Sequence, residues 1–146
     1  MFLATSPMNF IKTADLANPG TLETGRGDSQ NPIIVGYGLP DGPPGGGQPD
    51  WSKWAGVRHY RVISPQQPFD ESTAIGGPAT ACFGDSGGPT FLGPLADSGE
   101  KRRQIIATTS AVEGTTCSDT SVVARIDNVN VQAWIAQEIA NFLASH

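Results

Sequence analysis

The residues best placed to do chemistry lie in one run, Cys82-Phe83-Gly84-Asp85-Ser86-Gly87-Gly88-Pro89. A serine hydroxyl becomes a useful nucleophile when a base takes its proton. Acyl transfer through it also needs backbone N–H donors aimed at the oxyanion that forms. The glycines around Ser86 allow a turn that exposes its Oγ, because glycine enters positive φ at little steric cost. Gly84 and Ser86 stand two apart, a spacing that lets their N–H groups converge on one oxygen. Pro89 fixes φ and leads into the apolar run Thr90-Phe91-Leu92. A plain glycine-rich turn between two strands has no need of the acid before the serine, the Gly-Gly-Pro after it or the cysteine upstream.

This octapeptide resembles the nucleophile segment of the chymotrypsin-like (trypsin-family) serine proteases. The likeness continues in family order over roughly residues 33–143. Ile33-Ile34-Val35-Gly36-Tyr37-Gly38 is similar to the strand that opens the family's second barrel. Gln104–Ser110 resembles the strand that binds substrate backbone, and Val122-Val123-Ala124-Arg125-Ile126 the family's last strand. Trp134-Ile135 is similar to the Trp-Ile of its C-terminal helix. The resemblance implies a serine endopeptidase acting on polypeptides, with Ser86 as nucleophile and the Gly84 and Ser86 N–H groups as oxyanion hole. It implies that Asp85 pairs with an N-terminal amine freed by upstream cleavage. It also implies a Cys82–Cys117 disulfide beside the substrate pocket, and an oxidising, secreted setting.

For the pocket, the same resemblance puts Thr80 at the base, Ser121 near the other wall, and Thr108, Thr109 and Ser110 along the substrate backbone. Thr80 is neutral, and a basic side chain buried against it would lack a partner. That argues against cleavage after Lys or Arg, although Glu113 in the Ala111–Thr116 loop keeps a basic preference open. No metal or other cofactor enters this chemistry.

The family's triad runs His, Asp, Ser, and its first two members come from an N-terminal half. The chain has two histidines. His59 sits in Val57-Arg58-His59-Tyr60-Arg61, which reads as an edge or surface strand, and His146 is the last residue. Neither stands in the family's histidine setting. Met1-Phe2-Leu3-Ala4-Thr5-Ser6-Pro7 resembles the segment that follows the family's catalytic aspartate. The expectation is therefore a C-terminal piece of a longer protease, with the N-terminal barrel supplied by the same full-length chain or by a partner chain. A catalytically inactive homologue serving as a binding module is the alternative. Without an amine to meet it, Asp85 is expected to turn outward or stay hydrated, which leaves the oxyanion hole malformed. The wall that would face the absent barrel is expected to promote self-association.

Length and composition fit these expectations. A chain of 146 residues with 18 glycines and 12 prolines makes one domain of short strands and many turns. A net charge of −5 disfavours a nucleic-acid partner. Lys101-Arg102-Arg103, after Asp97-Ser98-Gly99-Glu100, reads as a solvated hairpin tip. Arg26-Gly27-Asp28 is a chance tripeptide in a polar loop. No stretch is long and apolar enough to span a membrane, and residues 1–10 do not form a secretory signal.

The fold class implied is all-β: a six-stranded antiparallel Greek-key barrel, the second barrel of a trypsin-like fold, with a C-terminal α-helix. Residues 1–32 read as a short strand and connector, 33–128 as the barrel with the nucleophile loop, and 129–146 as the helix. The strands are Ile33–Tyr37, Val57–Ser64, Ser72–Ile75, Pro89–Leu92, Arg103–Ser110 and Val122–Ile126. Trp51 and Trp54 flank the glycine-rich 41–50 loop and should pack it down. Asp127 or Asn128 caps the helix. Val131, Trp134, Ile135, Ile139 and Phe142 recur at helical spacing, with Glu138 among them, and that face is expected to dock on the barrel.

Overall fold

The structure is a computed structural model. It describes residues 14–24, 32–39, 50–53, 56–62, 72–75, 81–92, 104–112, 117 and 120–145. The elements in chain order are β1 (Asp15–Leu16), α1 (Thr21–Thr24), β2 (Ile33–Gly36), a 3₁₀ turn (Trp51–Lys53), β3 (His59–Val62), β4 (Ser72–Ile75), β5 (Pro89–Leu92), β6 (Gln104–Val112), β7 (Ser121–Arg125) and α2 (Val129–Ala144). Each of the six expected strands has a counterpart, shifted by a few residues at some ends. The Thr80 position lies outside the described residues, as do Trp54, Glu113, His146, the Arg-Gly-Asp tripeptide and the Lys101-Arg102-Arg103 cluster.

The barrel does not form. The strands make one seven-stranded sheet in the order β3-β2-β5-β6-β7-β4, with β1 added on β6. β3 and β4 end the ladder and do not pair with each other, so the sheet stays open. Nor is it wholly antiparallel. β1 runs parallel to β6, Asp15 opposite Gln104 and Leu16 opposite Ile105. At that level β5 holds one edge of β6, with Phe91 opposite Ile105. β1 therefore takes the other edge, ahead of Ala107, the first β6 residue that pairs with β7. The connector ties it there: Ala17 N donates to Ile105 O at 2.9 Å and Gly20 N to Asp127 O at 2.8 Å. A two-residue Asp-Leu strand has no alternation by which the sequence could announce it.

Register explains the core. Residues directly opposed across an antiparallel ladder share a face. Ile34 lies opposite Thr90, Thr90 opposite Ala107, and Ala107 opposite Arg125. All four are buried. Thr109 and Val123, opposed and two residues further along, are buried on the same face. Ala17 and Leu22 join Ile34, Ala107 and Val123 in the main apolar cluster, so the connector covers this face of the sheet.

Two polar features mark that core. Arg125 Nε and Nη2 donate to Asp127 Oδ1 and Oδ2 at 2.8 and 3.0 Å, with the two side chains 4% and 0% exposed. Asp127 Oδ2 also accepts Leu22 N at 2.8 Å. A buried carboxylate needs such a set of donors to be tolerated. Thr90 Oγ1 and Thr109 Oγ1, by contrast, are buried with no hydrogen-bond partner among the described residues.

The cap of α2 is Asn128, whose side chain accepts Asn130 N at 2.8 Å. Asp127 is committed to Arg125 instead. The expected docking of the helix face is corrected: α2 has no buried residue, and Trp134 is 63% exposed. Val131, Ile135 and Phe142 are only half-buried. Gln132 anchors the first turn, its Nε2 donating to Ala17 O and to Ile126 O. No helix among the described residues is long and apolar enough to cross a membrane.

Candidate functional site: two turns sharing Asp85

Ser86 is the second residue of the second of two abutting turns. In the first, Asp85 N donates to Cys82 O at 3.0 Å; in the second, Gly88 N donates to Asp85 O at 2.9 Å. The third residue of each turn is a glycine with positive φ, Gly84 at 96° and Gly87 at 79°. This is the position where a type II turn requires φ > 0. The glycine spacing of the octapeptide is thus a double-turn signature. Gly87 N then donates to Thr109 O, and Thr109 N to Gly88 O, which fastens the second turn to β6.

The consequence for the backbone is a division of labour. The N–H groups of Cys82, Asp85, Gly87 and Gly88 all have acceptors. Among the described residues, those of Phe83, Gly84 and Ser86 donate to none. Gly84 and Ser86 are exposed, as is Gly87. Of the three N–H groups, those of Gly84 and Ser86 lie within two residues of the exposed serine.

Asp85 does not turn outward as expected. Its side chain turns inward, and the residue is 9% exposed. Oδ1 accepts Gly38 N at 2.7 Å and Oδ2 accepts Cys82 N at 2.9 Å. Hydrogen bonds to an ionised group are worth about 1.5–3 kcal/mol each, which offsets much of the cost of burial. Backbone from the end of β2 and from the octapeptide itself supplies the donors, so the acid needs no hydration to be satisfied.

Sequence reasoning misses the residues that make this possible. A Cβ on Gly38 would lie 2.7 Å from Asp85 Oδ1 and from Phe83 O, and one on Gly36 would overlap the carboxylate outright. Leu39 N donates to Phe83 O at 2.9 Å, which closes the contact between the strand end and the turn. The available signal is the Gly36-Tyr37-Gly38 spacing, which on its own reads only as the start of a strand. Trp51, expected to pack down a loop, flanks the turn. Its Cζ3 is 3.5 Å from where a Cβ on Gly84 would stand, and the residue is 55% exposed.

Cys82 and Cys117 form a disulfide with Cα atoms 5.0 Å apart. The bond joins the start of the double turn to residue 117 on the far side of β6. Together with Leu39 these cysteines form a small second apolar cluster, with Phe83 packed against it.

The other candidate residues are spread along the sheet. Thr108 is half-buried in β6 between Pro89 and Ala124. Thr109 is buried with its backbone engaged by the double turn, and Ser110 is exposed at the irregularity where the β6–β7 register shifts. Ser121 is fully buried at the start of β7. His59 lies half-buried on the edge strand β3, opposite Gly36. A cleft of about 10 Å³ lies against Asp85, lined among others by Gly36, His59, Arg61 and Cys117. It has room for about one water molecule.

The chain matches no family model and has no significant match among the curated proteins.

Proposed function

We propose that this chain carries the nucleophile half of a serine endopeptidase, with Ser86 as the acyl-accepting residue. The observation that carries the reading is the double turn: an exposed serine beside the N–H groups of Gly84 and Ser86, which have no acceptor among the described residues. The reading rests on this local geometry and on the family likeness of the octapeptide, and needs no closed barrel.

In the proposed reaction Ser86 Oγ bonds to the carbonyl carbon of a peptide substrate. Its proton passes to a base, and the Gly84 and Ser86 N–H groups take the oxyanion. Collapse of the tetrahedral intermediate breaks the C–N bond, and the base returns the proton to the leaving amine. Water then repeats the sequence on the acyl-enzyme and frees Ser86.

Among the described residues no side chain hydrogen-bonds the Ser86 hydroxyl. The base is assigned to a histidine outside them, on a longer form of the chain or on a partner chain. The disulfide favours an oxidising compartment, and secretion belongs to the same proposal. That missing contact is also what favours the second reading, a homologue that binds polypeptides without cleaving them.

A fluorophosphonate probe tests the assignment. Labelling of the longer chain, or of this chain with its partner, that disappears in Ser86→Ala supports the enzyme. Absence of labelling with retained peptide binding moves the assignment to the binding module.

A further inference from the structure

We propose that Trp51 is a substrate-binding residue: its indole is the wall on which the leaving half of a cleaved peptide packs, and it selects an aromatic or aliphatic side chain there. This rests on the serine-nucleophile reading and deepens it, by naming what the site prefers beyond the scissile bond.

The ring is held from behind by a short capped turn. Trp51 opens the 3₁₀ turn Trp51–Lys53. Asp50 caps that turn, its Oδ1 accepting Ser52 N at 3.1 Å and Ser52 Oγ as well. From there the side chain reaches the first turn of the octapeptide. Cζ3 and Cη2 stand 3.5 and 3.7 Å from where a Cβ on Gly84 would be. Both atoms belong to the benzo edge of the indole, so that edge meets the turn, while the residue as a whole stays 55% exposed. A single exposed aromatic means little by itself. This one lies against the residue whose N–H is assigned to the oxyanion, and glycine at 84 has no side chain to come between ring and turn.

Position decides which half of the substrate meets it. Along the double turn, Ser86 lies between Gly84, beside Trp51, and Gly87, whose N donates to Thr109 O. The nucleophile reading lays the acyl half of the substrate along β6 at residues 108–110, on the Gly87 side. The amine half then departs on the Gly84 side, over the indole. A phenylalanine or leucine side chain gains apolar contact there, an aromatic one also gains ring geometry, and glycine gains neither.

Acyl transfer by the longer chain, or by this chain with its partner, tests the proposal. An acyl-enzyme formed from a peptide ester is offered the dipeptide amides of Phe-Gly, Gly-Phe and Gly-Gly in place of water. The amine nitrogen bonds to the acyl carbon, the bond from that carbon to Ser86 Oγ breaks, and the amine proton passes through the base to Oγ. At least one phenylalanyl amide is expected to capture the acyl group about tenfold better than the Gly-Gly amide. The ratio is expected to persist in Trp51→Phe and to fall to about twofold or less in Trp51→Ala. No preference in the parent, or a ratio unchanged in Trp51→Ala, overturns the proposal. NMR titration of the 146-residue chain gives a readout that needs no catalysis. The Trp51 ring signals, assigned by their loss in Trp51→Phe, are expected to shift with a phenylalanyl amide and to stay in place with the Gly-Gly amide. Phosphonate labelling separates the two ideas. Labelling without the shift or the preference removes Trp51 and keeps the nucleophile. A shift without labelling defeats the nucleophile reading and leaves Trp51 as a peptide contact, and the absence of both defeats both.

Discussion

Gly36 and Asp85 are in such close approach that no side chain fits between them: a Cβ on Gly36 would fall inside the van der Waals envelope of the Asp85 carboxylate. The strand that pairs with β3 and β5 thus ends against the acid that shapes the serine turn. Gly36→Ala is expected to force the carboxylate out of its place or to bend β2. Overpacking of this kind costs about 1–3 kcal/mol, and the loss of two bonds to an ionised acceptor adds to it. Chemical denaturation would read the loss of stability. A Gly36→Ala variant as stable as its parent would mean that Asp85 is not held where we place it.

The disulfide should matter to the same site by a different route. It closes a loop with a sequence separation of 35. By the chain-entropy relation, opening a loop of that length costs about 3–4 kcal/mol, through the unfolded ensemble. Cys117→Ser and reduction by thiol are each expected to lower the urea midpoint by the corresponding amount. Because Cys82 N also holds Asp85, both treatments should loosen the Gly38 and Cys82 amides before global unfolding. A midpoint insensitive to reductant would sink this expectation.

Arg125 and Asp127 set a second test away from the serine. Removing one partner of a buried pair leaves an uncompensated charge and costs about 3–5 kcal/mol. Arg125→Met is therefore expected to be severely destabilising, even though methionine retains much of the side-chain volume. Replacing both residues, Arg125→Met with Asp127→Leu, should recover part of the loss. Recovery stays incomplete because Leu22 N loses its acceptor in Asp127 Oδ2. With Asp127→Leu alone measured as well, a double-variant loss equal to the sum of the two single losses would show the pair to be uncoupled.

Local signals in the sequence are legible and global ones are not. Alternation and turn residues locate all six expected strands. The glycine spacing of the octapeptide locates a turn that presents Ser86. What the sequence does not carry is closure. Whether β3 meets β4 depends on twist and coiling accumulated over the whole sheet, and no residue encodes that. β1 escapes because parallel pairing of two residues leaves no periodic trace. The helix is found by its spacing, yet spacing shows which residues share a face and not what that face meets. Trp134 and Ile139 are exposed although they lie on that apolar stripe. The inward turn of Asp85 is hidden because its donors, Gly38 N and Cys82 N, are backbone groups, invisible to a reading that looks for side-chain partners.

The two orphan hydroxyls of the core give the last prediction. Thr90 and Thr109 project from β5 and β6 on the same buried face, and neither Oγ1 has a partner among the described residues. A buried hydroxyl without a hydrogen bond carries its full desolvation penalty of about 1–3 kcal/mol. Valine has nearly the shape of threonine and suits a strand at least as well. Thr90→Val and Thr109→Val are therefore each expected to stabilise the chain by about 1 kcal/mol or more. Thr109 is the sharper case, since its backbone N and O both bond the second turn and a side-chain change should leave those bonds intact. Thermal or urea unfolding of the two single variants would measure the effect. Destabilisation by either one would show that its hydroxyl makes a bond in solution, and at Thr109 that bond would lie directly beneath the Ser86 turn.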